Sequence, residues 1–215
     1  MGDARNVEWC ALLVGALAAA GVRRAVVSPG SRSTPVALAL AAHPDLRTEV
    51  VVDERAAGFL ALGLAKGSGA PVALLCTSGS AAAHYLPAVT EAWAAGVPLV
   101  VLTADRPFEL HGCGAPQTMP QVGLYGRFVL DELDAPAPDG DPAAATHLVH
   151  AVARLVHRAR SDGGGPVHLN LRFREPLAPP EDAPPLHRSV AVPTLHPATR
   201  RSEEHTSELQ SPCNL

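Results

Sequence analysis

Aromatic side chains are scarce: Phe, Trp and Tyr make up 4% of the 215 residues. The hydrophobic share is 47%, so a core can still be buried, but alanine and branched aliphatics must build it in close-packed layers. Cysteine is equally sparse. Cys10, Cys76, Cys113 and Cys213 form no CxxC pair and no zinc spacing, which argues against a disulfide framework and fits free thiols in a reducing cytoplasm. Neither sign of charge dominates. Seventeen Lys and Arg against 21 Asp and Glu give a formal charge of −4, and hence no reason to expect nucleic acid or an anionic membrane as partner. Met1–Val7 carries charge and lacks a signal-type apolar run. Trp9–Ala20 is apolar but too short to span a bilayer, and it stops at Gly21, so no membrane insertion is expected.

Several catalytic signatures are missing too. There is no GxGxxG and no Walker loop, which removes support for a nicotinamide or nucleoside-triphosphate site. No HExxH accompanies His147, His150 and His157, so they read as solvated helix-face residues rather than metal ligands. Cys76-Thr-Ser-Gly-Ser80 lacks the outer glycines of a nucleophile elbow.

What is present is an alternation of helix and strand. Val7, Cys10, Leu13, Val14 and Leu17 recur at helical spacing. Strands are predicted at 25–28, 49–52, 72–76, 99–103, 128–133 and 167–171. Helices are predicted from the 28–35 loop to about His43, at 57–66, at 81–95 and at 143–160. Short continuous apolar strands between helices indicate an α/β fold: a parallel sheet with helices on both faces. Right-handed crossovers put every strand-to-helix loop at one edge, where ligands of such sheets bind.

Residues 1–173 read as this domain. Seven prolines between Arg174 and Pro197 mark 174–200 as an extended linker. Residues 201–215 resemble the translation of a sequencing-adapter oligonucleotide and are expected to be an artefact, with the natural chain continuing differently.

The loops at the carboxyl edge hold the candidate chemistry. Ser28-Pro-Gly-Ser-Arg-Ser-Thr-Pro35 offers hydroxyls, a turn at Gly30, and in Arg32 a fork suited to a carboxylate, beside a helix N-terminus that favours anions. On spacing alone the plainer reading of the same residues is favoured: a capped turn with Ser33 or Thr34 as the cap and Arg32 solvated. Asp53-Glu54 places two carboxylates after a strand. The plain reading is helix capping, with Asp53 as N-cap and Glu54 in the first turn, while a buried Glu could share a proton with a ligand nitrogen. Thr77-Ser-Gly79 could cradle a ring or phosphate, or cap a helix. Asp105-Arg106 reads as a surface ion pair, and Gly114–Thr118 as a polar loop.

Taken together, six segments resemble one family. They are SPGSRSTPVALAL (28–40), VDERAAGFLALGLAKGSG (52–69), CTSGSAAAHYLPAVTEA (76–92), PLVVLTADRP (98–107), GAPQTMPQVGLYG (114–126) and GPVHLNLRFREPL (165–177). The family is 2-succinyl-5-enolpyruvyl-6-hydroxy-3-cyclohexene-1-carboxylate synthase, a thiamine-diphosphate-dependent transferase of menaquinone biosynthesis. The resemblance implies a domain that binds the aminopyrimidine of thiamine diphosphate. Glu54 matches the catalytic glutamate that contacts the ring nitrogen and favours the imino tautomer, whose nitrogen takes the thiazolium proton. Thr77, Ser78 and Gly79 match the loop around the pyrimidine, and Ser31, Arg32 and Gln117 match residues of the substrate site.

The resemblance further implies isochorismate and 2-oxoglutarate as substrates, a homo-oligomer, and Mg²⁺ held with the diphosphate in a separate C-terminal domain. Asp139-Gly-Asp141 is not the metal motif of that domain, and no metal ligand is expected in this chain. The fragment alone is therefore expected to be inactive. Departures from the family pattern are Ser80 in TSGSA, and His84 and Pro116 where asparagine is usual. Acetolactate synthases and 2-oxo acid decarboxylases share the fold and the glutamate, but SPGSRS and HLNLRFREPL argue against them. A non-catalytic α/β binding module is the remaining alternative, and a nicotinamide-dependent domain lacks its glycine fingerprint.

Overall fold

The structure is a computed structural model that describes residues 4–193. The adapter-like stretch and the last seven residues of the proline-rich segment lie outside the described residues. Six strands form one wholly parallel sheet in the order β2-β1-β3-β4-β6-β5. They are β1 (Arg24–Val27), β2 (Arg47–Val50), β3 (Val72–Cys76), β4 (Leu99–Asp105), β5 (Glu132–Ala135) and β6 (Val167–Arg172). The helices are α1 (Arg5–Ala19), α2 (Thr34–Ala42), α3 (Glu54–Ser68), α4 (Ser80–Ala83), α5 (Leu86–Ala94) and α6 (Pro142–Arg160).

Side chains of successive strand residues point to opposite faces, and each face has its own core. Ala25, Val27, Ala73, Leu75, Val100 and Leu102 meet α1, α2 and α6 on one side. Val26, Val72, Leu74, Cys76, Leu99 and Val101 meet α3, α4 and α5 on the other. The α/β architecture expected from the sequence is thus the observed one. His147, His150 and His157 lie exposed on α6. Asp141 serves as the N-cap of that helix, accepting from the Ala143 N–H at 2.9 Å. No helix among the described residues is long and apolar enough to cross a membrane.

α3 starts at Glu54 rather than 57, and several strand ends shift by one or two residues. Three further differences have a plain physical reason. β2 covers 47–50 rather than 49–52, and Val52 is 80% exposed. As an edge strand it pairs with β1 alone, so pairing register rather than apolarity sets its span. The predicted helix 81–95 is two helices, because Pro87 offers no N–H to the carbonyl four residues back. The chain bends there and buries Tyr85. The fifth strand begins at Glu132, not 128: Gly126–Phe128 forms a 3₁₀ turn, and Phe128 packs edge-on against Trp93 at 5.6 Å.

Residues 174–193 carry no helix or strand, yet they lie against the domain. Val190 and Val192 pack on the α1 side of the core. A Cβ at Gly15 would stand 2.2 Å from the Arg188 carbonyl oxygen, so the backbone of this strap rests directly on α1.

Candidate active-site edge

The connections after β1 and β3 leave toward opposite faces, α2 to one and α4–α5 to the other. Adjacent parallel strands whose connections diverge leave a crevice beyond their carboxyl ends. The predicted loops meet there.

Gly30 is in extended backbone (φ −175°, ψ 155°), so the turn expected at this glycine is not what requires it. A Cβ on Gly30 would fall 2.4 Å from the Thr77 Cβ and 2.6 Å from its Cγ2. Glycine lets the first and third loops touch. Capping is not the use of the hydroxyls either: Ser33 Oγ donates to the Gly30 carbonyl at 2.9 Å, and its side chain makes no cap hydrogen bond to α2. Ser31 is exposed on the same turn.

Arg32 is not solvated. It is 7% exposed, its Nη1 donates to the Phe173 carbonyl at 2.9 Å, and its Nη2 stands 3.4 Å from Glu175 Oε1. Its Nε is buried without a partner. Burial foremost, then the nearby charge of Arg106, pushes its pKa down from the usual value. The fork thus already faces one carboxylate, that of the largely exposed Glu175.

The two carboxylates after β2 separate cleanly. Asp53 is the N-cap of α3, accepting from the N–H groups of Arg55 (2.9 Å) and Ala56 (3.4 Å). The Arg55 guanidinium also grips it and, with these bonds, holds its carboxyl well below the usual range. Glu54 is the first helical residue, half-buried, and its carboxyl accepts no hydrogen bond among the described residues. After burial itself, the Glu54 charge is the next cause raising the Cys76 thiol, and it contributes to raising the Tyr85 phenol. The Tyr85 hydroxyl lies 2.7 Å from the Leu75 carbonyl and 3.1 Å from Ser28 Oγ, closing the floor beneath.

Thr77, Ser78 and Gly79 are buried, and Gly79 takes φ +80°, a conformation that glycine adopts without strain. Gln117 covers them. Its Nε2 donates to the Ser78 carbonyl at 3.0 Å, although its own φ of 57° lies in the left-handed region. Arg106 ties the two loops: its Nη1 donates to Ser78 Oγ (2.5 Å) and to the Gln117 carbonyl (2.7 Å). The expected surface pair Asp105–Arg106 does not form through side chains. Asp105 is fully buried and accepts from the Arg106 backbone N–H and from Asn170. Arg106 and Gln121 are the site residues that sequence reasoning did not pick out. Both lie in family-like segments, 98–107 and 114–126, but nothing in the sequence singled them out; the Gln121 amide oxygen accepts from the Gly79 N–H at 2.8 Å.

The edge therefore presents a carboxyl without a hydrogen bond among the described residues, a buried hydroxyl-and-glycine loop, and two guanidinium groups close enough to influence each other. Among the described residues no group of three or more His, Cys, Asp or Glu stands together to hold a metal.

A curated synthase of Chloroflexus aurantiacus, named 2-succinyl-5-enolpyruvyl-6-hydroxy-3-cyclohexene-1-carboxylate synthase, is 57% identical over 80% of this chain and 29% of its own length. Proteins of the same name from Geobacillus kaustophilus (54% identical, 83% of this chain, 31% of the relative) and Thermobifida fusca (53%, 78%, 30%) are similarly related. The chain spans about 30% of the length of these relatives. Residues 8–124, more than half of the chain, match the family model described as thiamine pyrophosphate enzyme, N-terminal TPP binding domain. The chain belongs to the family of N-terminal TPP binding domains of thiamine pyrophosphate enzymes.

Proposed function

We propose that this chain is the pyrimidine-binding part of a longer thiamine-diphosphate-dependent transferase of menaquinone biosynthesis. That enzyme decarboxylates 2-oxoglutarate and adds the resulting succinyl-semialdehyde unit to isochorismate. The observation that carries the reading is the division of labour at the start of α3: Asp53 caps the helix and leaves the Glu54 carboxyl unengaged at the sheet edge. A carboxyl spared from capping, whose charge is felt by buried Cys76 and Tyr85, is available to a ligand ring nitrogen.

The residues present fit the cofactor's pyrimidine. Glu54 would hold the ring nitrogen, and Thr77, Ser78 and Gly79 would form the wall against which the ring lies. When bound, thiamine diphosphate supplies the carbanion chemistry needed for decarboxylation and carbon–carbon bond formation. The ligands for Mg²⁺ and the diphosphate belong to parts of the enzyme outside this chain. So does the rest of the active site, in a cytoplasmic homo-oligomer. Ser31, Arg32 and Gln117 would orient isochorismate. A substrate carboxylate would compete with Glu175 for the Arg32 fork, and bidentate pairing would fix its pose.

The test uses the full-length enzyme carrying this chain, supplied with 2-oxoglutarate, isochorismate and the cofactor. Product is expected from that pair and not from pyruvate alone. Arg32→Ala should raise the KM for isochorismate by about 10- to 100-fold, the range for losing a charged hydrogen bond. The rate of 2-oxoglutarate decarboxylation should change by less than about threefold, since that step involves no contact with the fork. Equal losses in both steps would make Arg32 a purely structural tie between the first loop and Phe173.

A further inference from the structure

Gln121 lies between β4 and β5 and is 1% exposed. Its side-chain amide joins three separate segments. Oε1 accepts from the Gly79 N–H at 2.8 Å; Nε2 donates to the Ala104 carbonyl at 3.1 Å and to Asn170 Oδ1 at 3.0 Å. Both of its N–H donors are used.

The surroundings dictate this orientation. Asn170 on β6 points its Nδ2 at two carboxylates, Asp105 Oδ2 and Asp134 Oδ1, each at 2.9 Å. Turning the Asn170 amide over would set its carbonyl oxygen against both, so Oδ1 must face Gln121 and Thr103. An acceptor at that position demands a donor from Gln121. That leaves the Gln121 oxygen facing Gly79 and no other choice. Asn170 is itself braced on both sides. Thr103 Oγ1 lies 2.7 Å from His168 Nε2, His168 Nδ1 lies 2.8 Å from Glu132 Oε1, and Asp134 is gripped by Arg172. A polar chain buried within the sheet therefore ends on one backbone N–H of the third loop. Gly79 has no latitude on its other side either, where a Cβ would fall 2.8 Å from the Gln117 side chain.

We propose that Gln121 is a positioning residue: it fixes the Gly79 peptide, and with it the Thr77–Gly79 wall, in the conformation that receives the cofactor's pyrimidine. This rests on the reading of this edge as the thiamine diphosphate site. Gln121 touches no ligand and acts through Gly79.

The test compares Gln121→Met and Gln121→Glu with wild type in the full-length enzyme. It reads peptide-level hydrogen exchange over residues 77–82 and the dissociation constant for thiamine diphosphate with Mg²⁺. Met removes all three bonds. Exchange in 77–82 should quicken by about tenfold or more, and the dissociation constant should rise by about tenfold or more, with β3 and β4 still protected. Glu keeps the acceptor for Gly79 but sets a second oxygen against Ala104 and Asn170. Only its protonated form can donate there, through its single O–H and so to one of the two acceptors. The Glu variant should therefore bind weakly at about pH 8 and recover to within about threefold of wild type at about pH 6. A role confined to stability would lower the melting temperature and leave affinity and its pH profile unmoved.

Unchanged affinity in both variants overturns the proposal. So does weakened binding of the Glu variant with no recovery at low pH. Should the Met variant not fold, the Glu variant decides alone. Failure of the underlying functional reading looks different: wild type then binds no thiamine diphosphate, while the exchange over 77–82 still reports whether Gln121 holds Gly79.

Discussion

Glu54→Gln in the full-length enzyme should slow exchange of the proton on the cofactor's thiazolium carbon by about 10²- to 10⁴-fold, the usual range for removing a positioned acid–base group. The fold should hardly notice. Asp53 supplies the N-cap of α3, with its hydrogen bonds to Arg55 and Ala56, so the helix start survives the change. Glu54 takes part in no hydrogen bond among the described residues that the amide would break. Placed at the first turn, its negative charge gains about 0.3–1 kcal/mol from the helix dipole, which sets the scale of any loss in stability. A Gln amide is isosteric and can still donate a hydrogen bond, but it cannot give or take a proton at a ring nitrogen. Exchange followed by NMR after quenching in acid, together with a thermal melt, separates the two effects. Ordinary exchange in a folded Glu54→Gln variant would end the assignment of Glu54 and remove the chief support for a thiamine-dependent reaction. A parallel Asp53→Ala variant should behave oppositely, losing about 0.5–2 kcal/mol of stability with the cap while keeping exchange.

The difference between these neighbours shows where sequence reading stops. Spacing already offers Asp53 as the N-cap with Glu54 in the first turn, but only the start of α3 in the structure shows that the Glu54 carboxyl is left without a hydrogen bond among the described residues. The interior strands were legible because a strand covered on both faces must be apolar throughout, and β3 and β4 are buried along their full length. β2 was misplaced because an edge strand escapes that demand. The break at Pro87 was visible in principle, since proline in a helix interior is a stop signal. The polar network of Thr103, Gln121, Asp105 and Asn170 was not legible at all. Its members come from β4, β6 and the long loop, and nothing local marks His168 or Asn170 inside a strand as partners of residues more than thirty positions away. Arg106 was hidden for the same reason: beside Asp105 it looks like half of an ion pair, whereas its guanidinium reaches Ser78 and Gln117 instead.

Gly30 carries the same lesson into a measurable effect. Its backbone is extended, a conformation any residue adopts, so replacing it by Ala ought to stabilise the chain by about 0.4–1 kcal/mol through the unfolded state if space allowed. Space does not allow. The new Cβ would sit 2.4 Å from the Thr77 Cβ, and neither atom belongs to a flexible side-chain end that could swing away. The two loops must part. Gly30→Ala should therefore destabilise by about 1–3 kcal/mol, the cost typical of overpacking, and lower the melting temperature by roughly 2–4 °C for each kcal/mol in a chain of this size. In the full-length enzyme the consequence reaches the site. The 28–35 loop bears Ser31 and Arg32, and Thr77 begins the buried wall, so separating them moves the proposed substrate and cofactor contacts apart together. Removing the opposing atoms gives the decisive control. Thr77→Gly has costs of its own, but in the double variant the clash has no partner, and the two changes should couple by about 1 kcal/mol or more in the favourable direction. A Gly30→Ala chain that melts at or above the wild-type temperature would mean that the loops have slack at the crevice. The close approach of the first and third loops would then no longer account for the glycine.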